Sequence, residues 1–482
     1  MQGTSLSERG FVAAWRSIPR AATIAVGACV AMVATALAAA SLIAPAPLRA
    51  EGGNAGTMPG SSGTEHSARA HLGVSTCAGS TCHGHSVPDG NPVRQDELLQ
   101  WQQEASPTGA HSRAYRAIVE PRGQAIIRRM GLDSAGIRNE CLGCHASPGA
   151  VKVSEGVDCE TCHGAAGGWI SSHYTVGKTY RRDLSQGMTD LVNPKTRAKV
   201  CLDCHFSGEG QGQFVKHRIM AAGHPRVSFE LDLFSTLGQH WNEDADYAQR
   251  KGKSNTMRMW AVGQAEAVKR SLELFSQPAR ANDGVFPEFY FYDCHSCHRR
   301  IVDGEQDSVS AVPNPGRPIQ TGMPPYNDEN MIMLLAAARV AAPDLAATFD
   351  TRSKAFHRAM GEGRGAAVAA AGALRQTAEA LSDRFAASSF TREQTFKIMD
   401  TIAGDAISSR LTDYEGSVQS VMAIDTLLNG LVNQGMVPQG SAAGLRVQIN
   451  QAYAAVRDPN QYRPFAFRRA LSGAIGSIRG LR

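Results

Sequence analysis

GVDCETCHGAAGGWISSH, residues 156–173, holds two cysteines separated by two residues, Cys159 and Cys162, with His163 directly after the second. Working outward, the same arrangement returns on both sides, in CAGSTCH (77–83), CLGCH (141–145), CLDCH (201–205) and CHSCH (294–298). A C-x-x-C pair alone suits zinc or a disulfide. The residue after the pair decides between readings, because histidine makes up only 15 of 482 residues and yet follows all five pairs. Two thiols that add to the two vinyl groups of a haem, with the adjacent imidazole delivered to the iron, require this spacing. The sequence therefore predicts five covalently bound haem c groups.

The thioether residues are Cys77 and Cys82, Cys141 and Cys144, Cys159 and Cys162, Cys201 and Cys204, and Cys294 and Cys297. The proximal iron ligands are His83, His145, His163, His205 and His298. The first motif has four residues between its cysteines, so Ala78 to Thr81 must loop out to keep the sulfurs at the vinyl separation. Gly79 and Ser80 tolerate such a bulged turn. Ten of the eleven cysteines are consumed in this way, which leaves only Cys29 and no spare disulfide framework.

The N-terminus reads as an export signal over residues 1–50. Arg9, Arg16 and Arg20 precede an apolar run from Ala21 to about Ala44, and Pro-Leu-Arg-Ala ends at Ala50. The run is long enough to be an uncleaved inner-membrane anchor instead of a cleaved signal peptide. Either way the protein is expected outside the cytoplasm, in the periplasm or an equivalent compartment. Removing the four arginines and one glutamate of residues 1–50 lowers the formal charge from +5 to +2. Two propionates per haem then add roughly −10, so the basic sequence is no argument for nucleic-acid binding.

Residues 51–70 are Gly/Ser-rich and read as a flexible linker. The haem domain is expected over 71–320, mainly α, with short helices and long loops packed around the macrocycles. One longer helix is legible in Met257, Ala261, Ala265, Val268, Leu272 and Phe275, which recur on one face, with Lys269, Arg270 and Glu273 on the other. Cys159 follows Cys141 by only 18 positions, which predicts neighbouring haems there; the 90-residue gap from Cys204 to Cys294 is expected to supply distal ligands. Residues 327–482 contain no cysteine and read as an α-helical module, with a bundle stripe of Val418, Val421, Ile424, Leu428 and Leu431. GEGRGA (361–366) has no strand before it and is not a nucleotide-binding loop. The tail RPFAFRRALSGAIGSIRGLR carries five arginines among apolar residues and reads as a helix docked on the bundle; with residues 21–44, it is one of two segments suited to membrane association.

Five six-coordinate irons need five more ligands, drawn from the ten remaining histidines. The stretches WQQEASPTGAHSRAY (101–115), GVDCETCHGAAGGWISSH (156–173) and HRIMAAGHPRVSFELD (217–232) resemble the multihaem family of cytochrome c-554, the tetrahaem carrier that takes electrons from hydroxylamine oxidoreductase. The resemblance spans about residues 71–300. It implies distal ligation by His111, His173 and His224; His71 and His217 complete the candidate set, ahead of His240, His85 and His295. The chain departs from the family in its five sites, its expanded first motif and its long helical C-terminus.

Two function classes compete on this reading. The first is a carrier relaying electrons between redox partner proteins through bis-His haems. The second is a haem enzyme with one open iron acting on nitrite or hydroxylamine, and a membrane-anchored quinol dehydrogenase is a third possibility if residues 21–44 stay in place. The chain has no C-x-x-C-Lys site of the kind that marks pentahaem nitrite reductases, and ten spare histidines make full ligation easy, so the carrier is favoured.

Overall fold

The computed structural model describes residues 70–482 apart from 87–94, 176, 178, 227, 299–315, 321 and 408–413. The export segment, the Gly/Ser linker, Cys29 and His66 lie outside the described residues. Within them the chain is helical without strands, as the sequence predicts; Tyr292 and Tyr326 form an isolated antiparallel bridge.

The N-terminal half is built from short helices, several of which carry a motif histidine in their last turn. Asp158 caps Cys159–His163, its Oδ1 accepting from the amides of Glu160 and Thr161 at 3.0 and 3.2 Å. Glu160, buried, then accepts from the amides of Leu72, Gly73 and Ala166 at 2.6–3.1 Å, which ties the segment before the first motif to the third. Asp293 caps Cys294–Cys297 by accepting from Ser296 N at 3.1 Å. Asn193 starts Pro194–Leu202, and this helix passes into a widened π turn over Asp203–Ser207 that presents Cys204 and His205. Such turns recur at functional sites because they re-aim side chains. Arg270 holds this one at both ends, donating to Asp203 Oδ1 at 2.6 Å and to Ser207 O at 2.9 Å.

The long helices lie further along the chain: α1 Thr256–Ser276, α2 Glu329–Ala341, α3 Pro343–Ala359, α4 Arg364–Ala386, α5 Arg392–Ile407, α6 Tyr414–Asn433, α7 Arg446–Ala455 and α8 Pro464–Arg479. α1 is their shared centre. It packs along α4 and against α2 and α6, and Trp260, Ala261, Val268, Leu272 and Phe275 belong to one continuous apolar core with Leu334, Phe356, Leu381, Ile424 and Phe467. The expected polar face of α1 is also covered. Arg270 is buried, and Lys269 pairs with Glu266 at 3.2 Å and Glu379 at 2.6 Å. The buried charges on this face of α1, Glu266 and Arg270, both have partners, as low dielectric demands.

The stripe on α6 is buried as its periodicity predicts, except that Val418 is half-buried. Gly430 on α6 allows the closest approach to α1, since a Cβ there would meet Met257 and Thr256 at 2.8 Å. α8 packs its apolar face, Phe467, Leu471, Ile475 and Ile478, on the same core. Residues 361–363 form a turn that leads directly into α4, with no strand before it. No described helix is long and apolar enough to cross a membrane.

Candidate functional site

The five motifs place their histidines so that each ring faces a second one. Ring centres are 6.1 Å apart for His83 and His173, 6.2 Å for His145 and His224, 6.4 Å for His163 and His240, 5.9 Å for His205 and His111, and 6.0 Å for His298 and His217. The five separations fall within 0.5 Å of one another. They fit one metal ion between two imidazoles, since a metal–nitrogen bond of about 2 Å on each side plus about 1.1 Å from nitrogen to ring centre sums to about 6.2 Å.

The outer nitrogens agree with that arrangement. Nδ1 of His145 lies 2.7 Å from Ala114 O, that of His224 2.8 Å from Pro225 O and that of His240 3.0 Å from Gly238 O. His83 Nδ1 lies 3.1 Å from Glu97, and His173 Nδ1 3.3 Å from Asp183. Holding Nδ1 in this way leaves Nε2 directed into the gap and fixes the ring, which is how metal-bound histidines are oriented. Burial pushes His163 down to about 3 and His205 down to about 4, so both rings are neutral bases with a free lone pair at pH 7. His83 is moved the other way, upward, by its hydrogen bond to Glu97.

Four of the five sites open on one cavity of about 1720 Å3, lined by Cys77, Cys144, Cys162 and Cys201 together with the paired rings. That is well beyond the roughly 300–1,000 Å3 of a single small-molecule site. None of the ten motif cysteines forms a disulfide. Cys77 interacts with Cys159, and Cys144 with Cys204, which brings the first site against the third and the second against the fourth. The second and third motifs, 18 residues apart, line the same cavity and are joined by Asp158 N donating to Ser147 Oγ at 2.8 Å.

The fifth site lies apart from this cavity. His298 and His217 meet beside Phe289, and Arg226, two residues beyond His224, donates to Tyr290 O at 3.0 Å and reaches Cys294 Sγ at 3.3 Å. His295, between the two cysteines, packs against Tyr414 at the start of α6 and Tyr462 in the connection before α8.

Of the expected distal candidates, His111, His173, His217 and His224 each face a proximal ring. His71 does not. Its Nδ1 lies 4.0 Å from Glu160 Oε2 beside the capped turn of the third motif, and His240 stands opposite His163 instead. His85 turns its Nδ1 to Ser80 O at 3.1 Å, and buried His357 lies 3.2 Å from Asp328. His240 sits in LGQHW with no motif around it; its only signal in the sequence is its place in the long gap before Cys294. Glu97, Asp183 and Arg226 carry no sequence signal at all.

Residues 76–164 match the family described as cytochrome c554 and c-prime. Over that segment the chain is similar to this family of c-type cytochromes. The match covers the first three motifs, and it carries covalently bound haem c and electron transfer with it. No curated protein and no solved structure shows significant similarity to the chain.

Proposed function

We propose that this c-type cytochrome is an exported pentahaem electron carrier in which every iron has two histidine ligands. The observation that carries the reading is the set of five ring pairs, one per motif, at metal-bridging separation. His83 and His173, His145 and His224, His163 and His240, His205 and His111, and His298 and His217 would hold the irons, with the ten motif cysteines as thioethers. Haem c, when bound, supplies a one-electron couple at each site.

The protein's own residues do the rest. The backbone carbonyls of Ala114, Pro225 and Gly238 orient the rings, and the buried caps Asp158 and Glu160 hold the third motif in place. Sulfur contacts between the first and third sites and between the second and fourth support a relay across the shared cavity. A second imidazole opposite each proximal one disfavours the enzyme reading, which requires an iron with a free position for nitrite or hydroxylamine. Partners are accordingly redox proteins at the two ends of the relay. The signal-like residues 1–50 support export, and the family matched over 76–164 is typically exported.

EPR of the oxidised holoprotein, with haem counted per chain by the alkaline pyridine assay, tests this. Five haems and a wholly low-spin spectrum, unmoved by nitrite or hydroxylamine, are expected. A high-spin component that shifts on adding either compound transfers the reading to the enzyme class.

A further inference from the structure

Among the ten paired rings, two differ in what holds the outer nitrogen, and they belong to the same site. His83 Nδ1 lies 3.1 Å from Glu97 Oε2, and His173 Nδ1 lies 3.3 Å from Asp183 Oδ2. Where the other sites show an Nδ1 contact it is a backbone carbonyl, Ala114 for His145, Pro225 for His224 and Gly238 for His240. Among the described residues, no carboxylate lies within ion-pair distance of any of the remaining eight rings. Glu97 opens the short helix Glu97–Gln102 and is partly exposed. Asp183 is buried and is fixed from its other oxygen by the Ser172 hydroxyl at 2.5 Å.

We propose that Glu97 and Asp183 act as positioning residues that give the His83–His173 site the lowest reduction potential of the five. The inference rests on the ring pairs being axial ligands. An imidazole that donates Nδ1–H to a carboxylate is a more basic and more electron-rich ligand than one that donates to a carbonyl. Both ligands of this site are of that kind, so their effects act along one axis and in one direction. Electron-rich ligands and nearby negative charge favour the oxidised iron, which carries one more positive charge than the reduced one. Reduction there adds one electron; no bond forms or breaks, and both Nδ1 protons stay on their rings.

The surrounding charges do not cancel this. Lys251 faces His83, but it faces His163 as well and so does not separate the first site from the third. At the fifth site charges of both signs are present: the Arg226 guanidinium lies 3.3 Å from Cys294 Sγ, and the Glu288 carboxylate accepts from the backbone amide of His217 at 2.8 Å, not from its ring.

The ring planes make the site identifiable. His83 and His173 are inclined by only 20° and His217 and His298 by 29°, whereas the other three pairs are inclined by 78°, 83° and 86°. Near-parallel and near-perpendicular bis-imidazole irons give distinct low-spin EPR envelopes, rhombic in the first case and strongly anisotropic in the second. His217→Ala deprives the fifth site of its second imidazole, so its signal turns high-spin and His83–His173 is left as the sole member of the rhombic low-spin class.

The experiment is an EPR-monitored redox titration of the full-length holoprotein with dithionite and ferricyanide. The rhombic signal of His83–His173 is expected to be the last to disappear on reduction. Glu97→Gln and Asp183→Asn are each expected to make its reduction about tenfold more favourable, about 59 mV for one electron, and to leave the three near-perpendicular signals in place. Glu379→Gln, which removes a carboxylate paired with Lys195 and Lys269, is expected to move nothing. The proposal is overturned if this site is reduced before the others, if Glu97→Gln leaves its midpoint unmoved, or if Glu379→Gln moves it equally. Because Glu97 is partly exposed, its variant decides the matter even if Asp183→Asn does not assemble. Failure of the bis-His reading shows separately, as a high-spin signal or a haem count below five in the unmodified protein.

Discussion

The ring of His240 stands 6.4 Å from that of His163, inclined at 83°, while its Nδ1 is held by the carbonyl of Gly238 two residues earlier. That short loop, rather than the nearer-looking His71, completes the site of the central motif. His240→Leu is expected to convert one haem in five to a high-spin form that binds nitrite. His71→Leu, in contrast, leaves all five low-spin. EPR of the two variants side by side checks this, and a high-spin signal in His71→Leu alone would reverse the assignment.

Glu160 sits under the same motif and accepts from three backbone amides, those of Leu72, Gly73 and Ala166. In Glu160→Gln one acceptor oxygen becomes an NH2 group facing these donors. Losing charge-assisted bonds in a buried place costs roughly 2 kcal/mol. The variant is expected to bind the same number of haems and to melt at a lower temperature, measured by loss of the Soret circular dichroism.

Burial pushes Glu230 up to about 7, against the hydrogen bonds from Asp232 N, Leu233 N and the Thr426 hydroxyl. The folded state therefore holds a proton between the ordinary glutamate value of 4.5 and about 7 that the unfolded chain has released. This contribution to stability is fully present below pH 4.5 and is lost as pH rises through 7. Glu230→Gln, which mimics the protonated form, is expected to flatten the dependence of the melting temperature on pH across that window. An unchanged slope would show that another group carries it.

Gly430 meets Met257 and Thr256 where α6 crosses the start of α1. Gly430→Leu places side-chain atoms where a Cβ alone would be 2.8 Å from both. Overpacking of this kind costs about 1–3 kcal/mol. A lower thermal midpoint with unchanged haem content is expected, because the clash lies in the helical core and not in the haem cavity.

Much of the site was legible before any coordinates. The cysteine pairs and the histidine after each are local chemistry: thioether spacing and the adjacent ligand are set within five to seven residues, so no tertiary knowledge is needed. The helical class follows similarly from residue spacing in Met257–Phe275 and Val418–Leu431. The second imidazoles are a different matter. His240 comes from 77 positions after His163, and His111 from 94 positions before His205, and such distances carry no periodic signal.

The helix Thr256–Ser276 shows the same limit in packing. Its sequence suggests an amphipathic helix of the haem half with a second face carrying Lys269, Arg270 and Glu273. In the fold that face is covered, by Asp203 and the Ser207 carbonyl on one side and Glu379 on the other, and its apolar partners lie on α2, α4 and α6. The amino-acid sequence by itself marked the ten cysteines suited to covalent haem and the imidazole next to each pair, because covalent attachment is a short-range requirement. Only the tertiary structure decided which histidine stands opposite each of them, and which rings rest on carboxylates instead of carbonyls, because those pairings depend on where the chain returns.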